Sequence, residues 1–100
     1  MRLFVKEIIN SNFAISEEKG KILYEKIIQE LSKGNNIEID FSGIQATIST
    51  FFNSSYGLLF KTFTKDEIKN HIKFLNLKEI TKMQIDAVEE IAIKFYNKER

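Results

Sequence analysis

The order of apolar and polar residues divides the chain into segments of two kinds, one repeating every second residue and one close to every 3.6. Ile37, Ile39 and Phe41 alternate with Glu38 and Asp40, which predicts a strand with one apolar and one acidic face. Leu3 to Ile9, rich in β-branched and aromatic residues and bounded by Asn10-Ser11-Asn12, predicts a first strand, and Phe13 to Ile15 a short antiparallel return. His71 to Leu77, with Ile72 and Phe74 around Lys73, predicts the last strand.

The intervening segments have the helical period. Ser16 is placed as an N-cap, with Glu17 and Glu18 in the first turn, where the helix dipole favours acids. Gly20, Leu23, Tyr24, Ile27, Ile28 and Leu31 then share one face, and Gly34 provides the left-handed stop. A glycine inside that pattern costs about 1 kcal/mol relative to alanine, so close backbone packing is its expected purpose. After a short polar connection over Gln45 to Thr47, with one more extended turn at Ala46 to Ile48, a second helix opens with Ser49 or Thr50 as its cap and runs on through Phe63. Phe52, Tyr56, Leu59 and Phe63 form one stripe and Phe51, Ser55 and Leu58 another, together wider than one sheet face covers. Deep burial or an interface is the expected consequence. Thr64 to Lys69 is polar and is expected as a helix end plus loop. A third helix starts at Lys78 or Glu79, with Ile80, Met83, Ala87, Val88, Ile91 and Phe95 on its inner face and Lys82, Asp86, Glu89 and Glu90 opposite, before a polar tail from Asn97 to Arg100. Alternating strands and helices predict one α/β domain over residues 1–100, its small mixed, mostly parallel sheet carrying helices chiefly on one face.

Composition narrows the chemistry. At 43% hydrophobic and 29% charged residues, with a net charge of +1, the chain is neither disordered in character nor basic enough to suggest nucleic acid or an anionic membrane as partner. Without cysteine there are no disulfides, thiolate metal sites or cysteine nucleophiles, and with His71 the one histidine there is no multi-histidine metal centre. No apolar run approaches the roughly 20 residues of a membrane span. A cytoplasmic protein is expected.

Candidate chemistry collects in the stretch IDFSGIQATISTFFN. Asp40 ends the central strand, at the edge where sites gather in open α/β sheets. It either closes the turn onto the backbone N–H groups of Ser42 and Gly43 or works as a carboxylate with Glu38, its neighbour on the same face. Ser49 and Thr50 stand as helix caps, as phosphoacceptors or as anion contacts. Phe51 stands as core or as an interface residue. No glycine-rich phosphate loop and no nucleophile elbow is present.

These residues carry a family resemblance. Asp40, Phe41, Ser42, Gly43 and Ile44 end a strand, Ile48, Ser49, Thr50 and Phe51 open a helix, and Gly57, Leu58 and Leu59 continue it. In this pattern the chain resembles the STAS-like family, small bacterial proteins related to anti-sigma-factor antagonists and to the STAS domain of sulphate transporters. In the antagonists an Asp-Ser pair opens the helix, and a histidine-kinase-like ATPase phosphorylates the serine. That serine falls on Ser49, and Ile48 stands where the antagonists carry aspartate. The resemblance implies a non-enzymatic signalling or interaction module without a cofactor. It places the contact surface at Ser49, Thr50, Phe51 and Asn53, with Asp40, Ser42 and Gly43 beside it. The alternative is a self-associating subunit, a homodimer without a phosphorylation switch, built on the surplus apolar area of the second or third helix.

Overall fold

The computed structural model describes residues 1–97; residues 98–100, the end of the polar tail, lie outside the described residues. Three strands, β1 (Arg2–Phe4), β3 (Ile37–Asp40) and β5 (Ile72–Leu75), form a parallel sheet in the order β1-β3-β5, with β3 central. The register sets Leu3, Ile39 and Phe74 in one row and Ile37 beside Ile72. These face the helices and join Leu23, Ile27, Phe51, Phe52 and Phe60 in a single core. Arg2, Glu38 and Lys73 form the matching row on the other, open face, where Arg2 Nε lies 3.6 Å from the Glu38 carboxylate. This is the α/β arrangement with a parallel sheet that the alternating pattern implies.

The first strand is shorter than expected. After Phe4 the chain turns into α1 (Val5–Ile8), because Val5 and Ile9 are both buried at a spacing of four, with Lys6 and Glu7 exposed between them. Asn10, at φ +52°, ends the turn. The short strand β2 (Phe13–Ala14) does not return antiparallel to β1. It pairs in parallel with β4 (Ala46–Thr47), forming a second, two-stranded sheet.

Helix α2 (Glu17–Ser32) follows the expected pattern closely. Ser16 Oγ accepts the Lys19 N–H at 3.1 Å, and Gly20, Leu23 and Ile27 are buried. At its end the Asn35 N–H donates to the Glu30 carbonyl and the Gly34 N–H to the Leu31 carbonyl, with Gly34 at φ +79°, which is a Schellman closure. Gly20 is where a side chain would not fit: a Cβ there would lie 1.8 Å from Ser54 Oγ and 2.5 Å from the Phe51 carbonyl oxygen. The missing side chain lets the second helical segment cross directly against α2.

That second segment is not one helix. It divides into α3 (Ser49–Asn53), a 3-10 turn (Tyr56–Leu58) and α4 (Leu59–Thr62). The break falls at two buried serines. Ser54 Oγ donates to the Thr50 and Phe51 carbonyls and Ser55 Oγ donates to the Phe51 carbonyl, so side-chain hydroxyls take acceptors that a continuing helix would use. The polar stretch expected as a loop is α5 (Lys65–His71), opened by a reciprocal capping box in which Thr64 Oγ1 accepts the Glu67 N–H and the Glu67 carboxylate accepts the Thr64 N–H.

Helix α6 (Glu79–Asn97) packs on α3, the 3-10 turn and α4. Its inner face is Thr81, Ile85, Val88 and Ala92. Of the expected inner residues only Val88 is buried; Ile80, Met83, Ala87, Ile91 and Phe95 point outward. Tyr56 anchors this helix by donating its hydroxyl to Glu89 at 2.7 Å, and Lys69 of α5 pairs with the same carboxylate. Burial and the adjacent Glu89 carboxylate push the Tyr56 hydroxyl above its ordinary range, so it stays a donor.

Candidate functional site

Two groups of residues stood out in the sequence, and the structure gives them different characters. The first is the turn after β3. Asp40 is 1% exposed, and its Oδ1 accepts from the Ser42 N–H (2.8 Å), Ser42 Oγ (2.6 Å) and Asn76 Nδ2 (2.9 Å), while Oδ2 lies 3.8 Å from Arg2. Asn76 also donates to Ser42 Oγ. The Ser42 hydroxyl above all, then Asn76, holds the Asp40 carboxyl below the usual range against the opposing effect of burial. Gly43, at φ +80°, completes the turn and faces the Lys6 side chain. Ser42 closes the turn on itself, Asn76 ties β3 to the β5–α6 connection, and Arg2 reaches across from β1. Arg2 lies between the two acids of this strand face, 3.6 Å from Glu38 and 3.8 Å from Asp40. Ser42 and Gly43 remain exposed at the surface, whereas the Asp40 carboxylate is enclosed.

The second group is the start of α3. Ser49, Thr50 and Asn53 are all exposed. Neither Ser49 nor Thr50 is the N-cap: that position is Ile48, and no side chain caps the helix. Among the described residues neither hydroxyl makes a side-chain hydrogen bond. Five residues of helix also carry too few aligned peptides to make an anion site, which removes the anion-contact reading. Phe51 corrects the expected surface, because it is 0% exposed and packs edge-on against Phe52 with centroids 5.3 Å apart. Neighbouring phenylalanines can both be buried because α3 lies between α2 and α6. Phe51 is core and faces no partner.

What the sequence did not indicate is the surface beside Ser49. In the β2–β4 pair, Phe13 lies opposite Ala46 and Ala14 opposite Thr47, which brings Ile15 level with Ile48. Ala14 is buried, so the alternation turns Phe13, Ile15, Ala46 and Ile48 outward. Phe13 is 48%, Ile15 44% and Ile48 44% exposed, an apolar patch running up to the two free hydroxyls. The extended pieces at Phe13 to Ile15 and Ala46 to Ile48 were both available as signals, and what no local pattern shows is that they pair with each other. On the other side of α3, Thr50 and Asn53 face Glu17 and Lys21 across an open cleft of about 370 Å³. The strand leading into Ser49 is fixed from behind: Thr47 Oγ1 donates to Gln84 Oε1 (2.6 Å), lies 3.1 Å from Thr81 Oγ1, and the Thr47 carbonyl accepts from Gln84 Nε2 (3.0 Å).

A parallel α/β sheet, a glycine-dependent helix crossing and a strand-turn-helix passage through Asp40 and Ser49 are therefore all present. The model of the STAS-like domain of unknown function matches residues 19–82, well over half of the chain. The chain belongs to this family. The STAS-like match takes in all but the first two residues of α2, then β3, the Asp40 turn, β4, the divided helix, α5 and β5, and it stops at the start of α6, leaving β1, α1, β2 and most of α6 outside. No curated protein and no solved structure gives a match. Among the described residues of this STAS-like chain no group of side chains is arranged to hold a metal, and no helix is long and apolar enough to cross a membrane.

Proposed function

We propose that this STAS-like domain is a non-enzymatic regulatory module that meets a protein partner at the β4–α3 junction. The observation that carries the reading is the adjacency of the exposed Phe13, Ile15 and Ile48 to the unbonded hydroxyls of Ser49 and Thr50. An apolar patch beside free polar groups is the composition of a contact surface, since apolar side chains contribute affinity and the hydroxyls set register. Ile48 gives the departure from the antagonist pattern a use: where the antagonists carry aspartate, this chain presents an apolar contact.

The partner class that the STAS resemblance supplies is a histidine-kinase-like ATPase, with Ser49 at the switch position. A phosphate on Ser49 would add a charge of about −2 to an exposed site next to an apolar patch, so it would change association and leave the fold intact. Capture of a candidate ATPase by the purified chain, with and without ATP, tests this. Binding should fall at least tenfold in Ile48→Asp and in Phe13→Asp, and Ser49→Asp should alter it with an unchanged circular dichroism spectrum. Equal capture by all three variants would remove the junction as the contact surface, and an absence of phosphate on Ser49 after incubation with the ATPase and ATP would remove the switch.

A further inference from the structure

From the outward face of α6 we infer that two copies of this chain pair through that helix, antiparallel, about a two-fold axis at Ala87. Ile80, Met83, Ala87, Ile91 and Phe95 recur at intervals of three and four and fall on one side of the helix. The four large side chains are 56%, 62%, 64% and 66% exposed, and among the described large apolar residues only the terminal Met1, at 56%, matches the lowest of them. The inner face of the same helix is already occupied by the core, so the outer stripe is a second apolar surface with its own use. It lies mostly beyond residues 19–82 and shares no residue with the junction at Ser49, so the two readings stand or fall separately.

The charges beside the stripe choose the occupant and its direction. Glu79 stands at the start of the helix, Lys94 near its end and Glu90 one turn before Lys94, all exposed. Laid parallel on itself, the helix would set Glu90 against Glu90 and Lys94 against Lys94. Turned antiparallel about Ala87, it sets Met83 against Ile91 of the second copy, Ile80 against the stem of Lys94 and the ring of Phe95, moves Glu90 away from its copy, and brings Lys94 within reach of Glu79. Lys94 is held meanwhile by Glu90 at 3.3 Å in a fully exposed pair, which exchanges easily for another. Ala87, the one small side chain of the stripe, sits at the crossing, where close approach is needed. From Ile80 to Phe95 the strip is about 22 Å long, which puts the pair near the lower limit of specific interfaces and the dissociation constant in the micromolar range.

Sedimentation equilibrium of the full chain from about 1 to about 500 µM should show a monomer–dimer equilibrium with a midpoint in that range. Ile91→Asp should weaken it at least tenfold with helix content and unfolding midpoint unchanged. Glu79→Lys or Lys94→Glu alone should weaken it several-fold, and the two together should restore it. The chain has no cysteine of its own, so single thiols report on the axis: Ala87→Cys should oxidise to a covalent dimer, and Ile80→Cys, about 20 Å from its copy in this arrangement, should not. A monomer at every concentration would overturn the inference and leave the stripe to a different partner. So would a dimer indifferent to Ile91→Asp, or one in which Ile80→Cys links more readily than Ala87→Cys.

Discussion

Helices α2 and α6 are the two long helices of this chain, and both show a clear apolar stripe in the sequence, yet one stripe faces the core and the other faces outward. In α2 the periodic residues include Gly20, Leu23 and Ile27, all buried, and the outer side, polar but for Ile22, leaves one way to seat the helix. In α6 there are two apolar arcs, Ile85–Val88–Ala92 and Ile80–Met83–Ala87–Ile91–Phe95, and the smaller side chains of the first fit the space that α3 and the 3-10 turn leave. The larger arc stays outside. A hydrophobic period says that a helix has a surface to cover; it does not say whether the chain itself covers it.

The largest test of this contrast is at Gly20. Gly20→Val should destabilise the monomer by about 3 kcal/mol or more in urea unfolding, because the added atoms meet a backbone carbonyl as well as Ser54. Next, Ile85→Ala on the inner arc of α6 should cost about 2–4 kcal/mol. Ser16→Ala, which removes the α2 cap, should cost about 1 kcal/mol. A smaller effect, one that fades in acid, concerns Glu30, the buried charge of α2. Its carboxylate accepts from Asn35 Nδ2 at 2.8 Å and lies within 4 Å of Lys26 and Lys33. The Asn35 bond and the two lysines hold its folded pKa below the ordinary 4.5 despite burial. Its stabilisation is therefore complete above about pH 4.5 and is lost as the pH falls through the lower folded value. Glu30→Gln should flatten the acid limb of the stability profile below that point and lower the plateau above it. The smallest effect should be Ile91→Ala, within about 0.5 kcal/mol for the monomer. A cost like that of Ile85→Ala would mean the two arcs of α6 had been assigned the wrong way round.

Much of the fold was legible because it rests on local rules. β3, α2, the Gly34 stop and the parallel arrangement follow from alternation, helical period and glycine. The misreadings have identifiable causes. Leu3 to Ile9 is apolar enough for a strand, but only burial of Val5 and Ile9 on one side shows that the chain coils after Phe4. The helix from Ser49 breaks because Ser54 and Ser55 bond backward to Thr50 and Phe51, a competition that Ser-Ser in an aromatic run could have suggested. The capping box at Thr64 and Glu67 was readable as a helix start and outweighs the polarity of that stretch. At the candidate site, Ser49, Thr50 and Asn53 are exposed, while Phe51 is buried because α3 is covered on two sides, something only tertiary packing decides. For the patch at Phe13, Ile15 and Ile48 the two extended segments were legible but their union was not, since it pairs residues more than thirty apart.

The β2–β4 pair is two residues deep, joined at its ends by the Gln45 amide on the Asn12 carbonyl and the Ile48 amide on the Ala14 carbonyl. So small a ribbon gains little cooperativity from its own ladder and relies on Gln84 and Thr81 gripping Thr47. In deuterium exchange, the Gln45 and Ile48 amides should accordingly open well before those of β3, and loosening Gln84 from α6 should hasten them while the central strand keeps its protons.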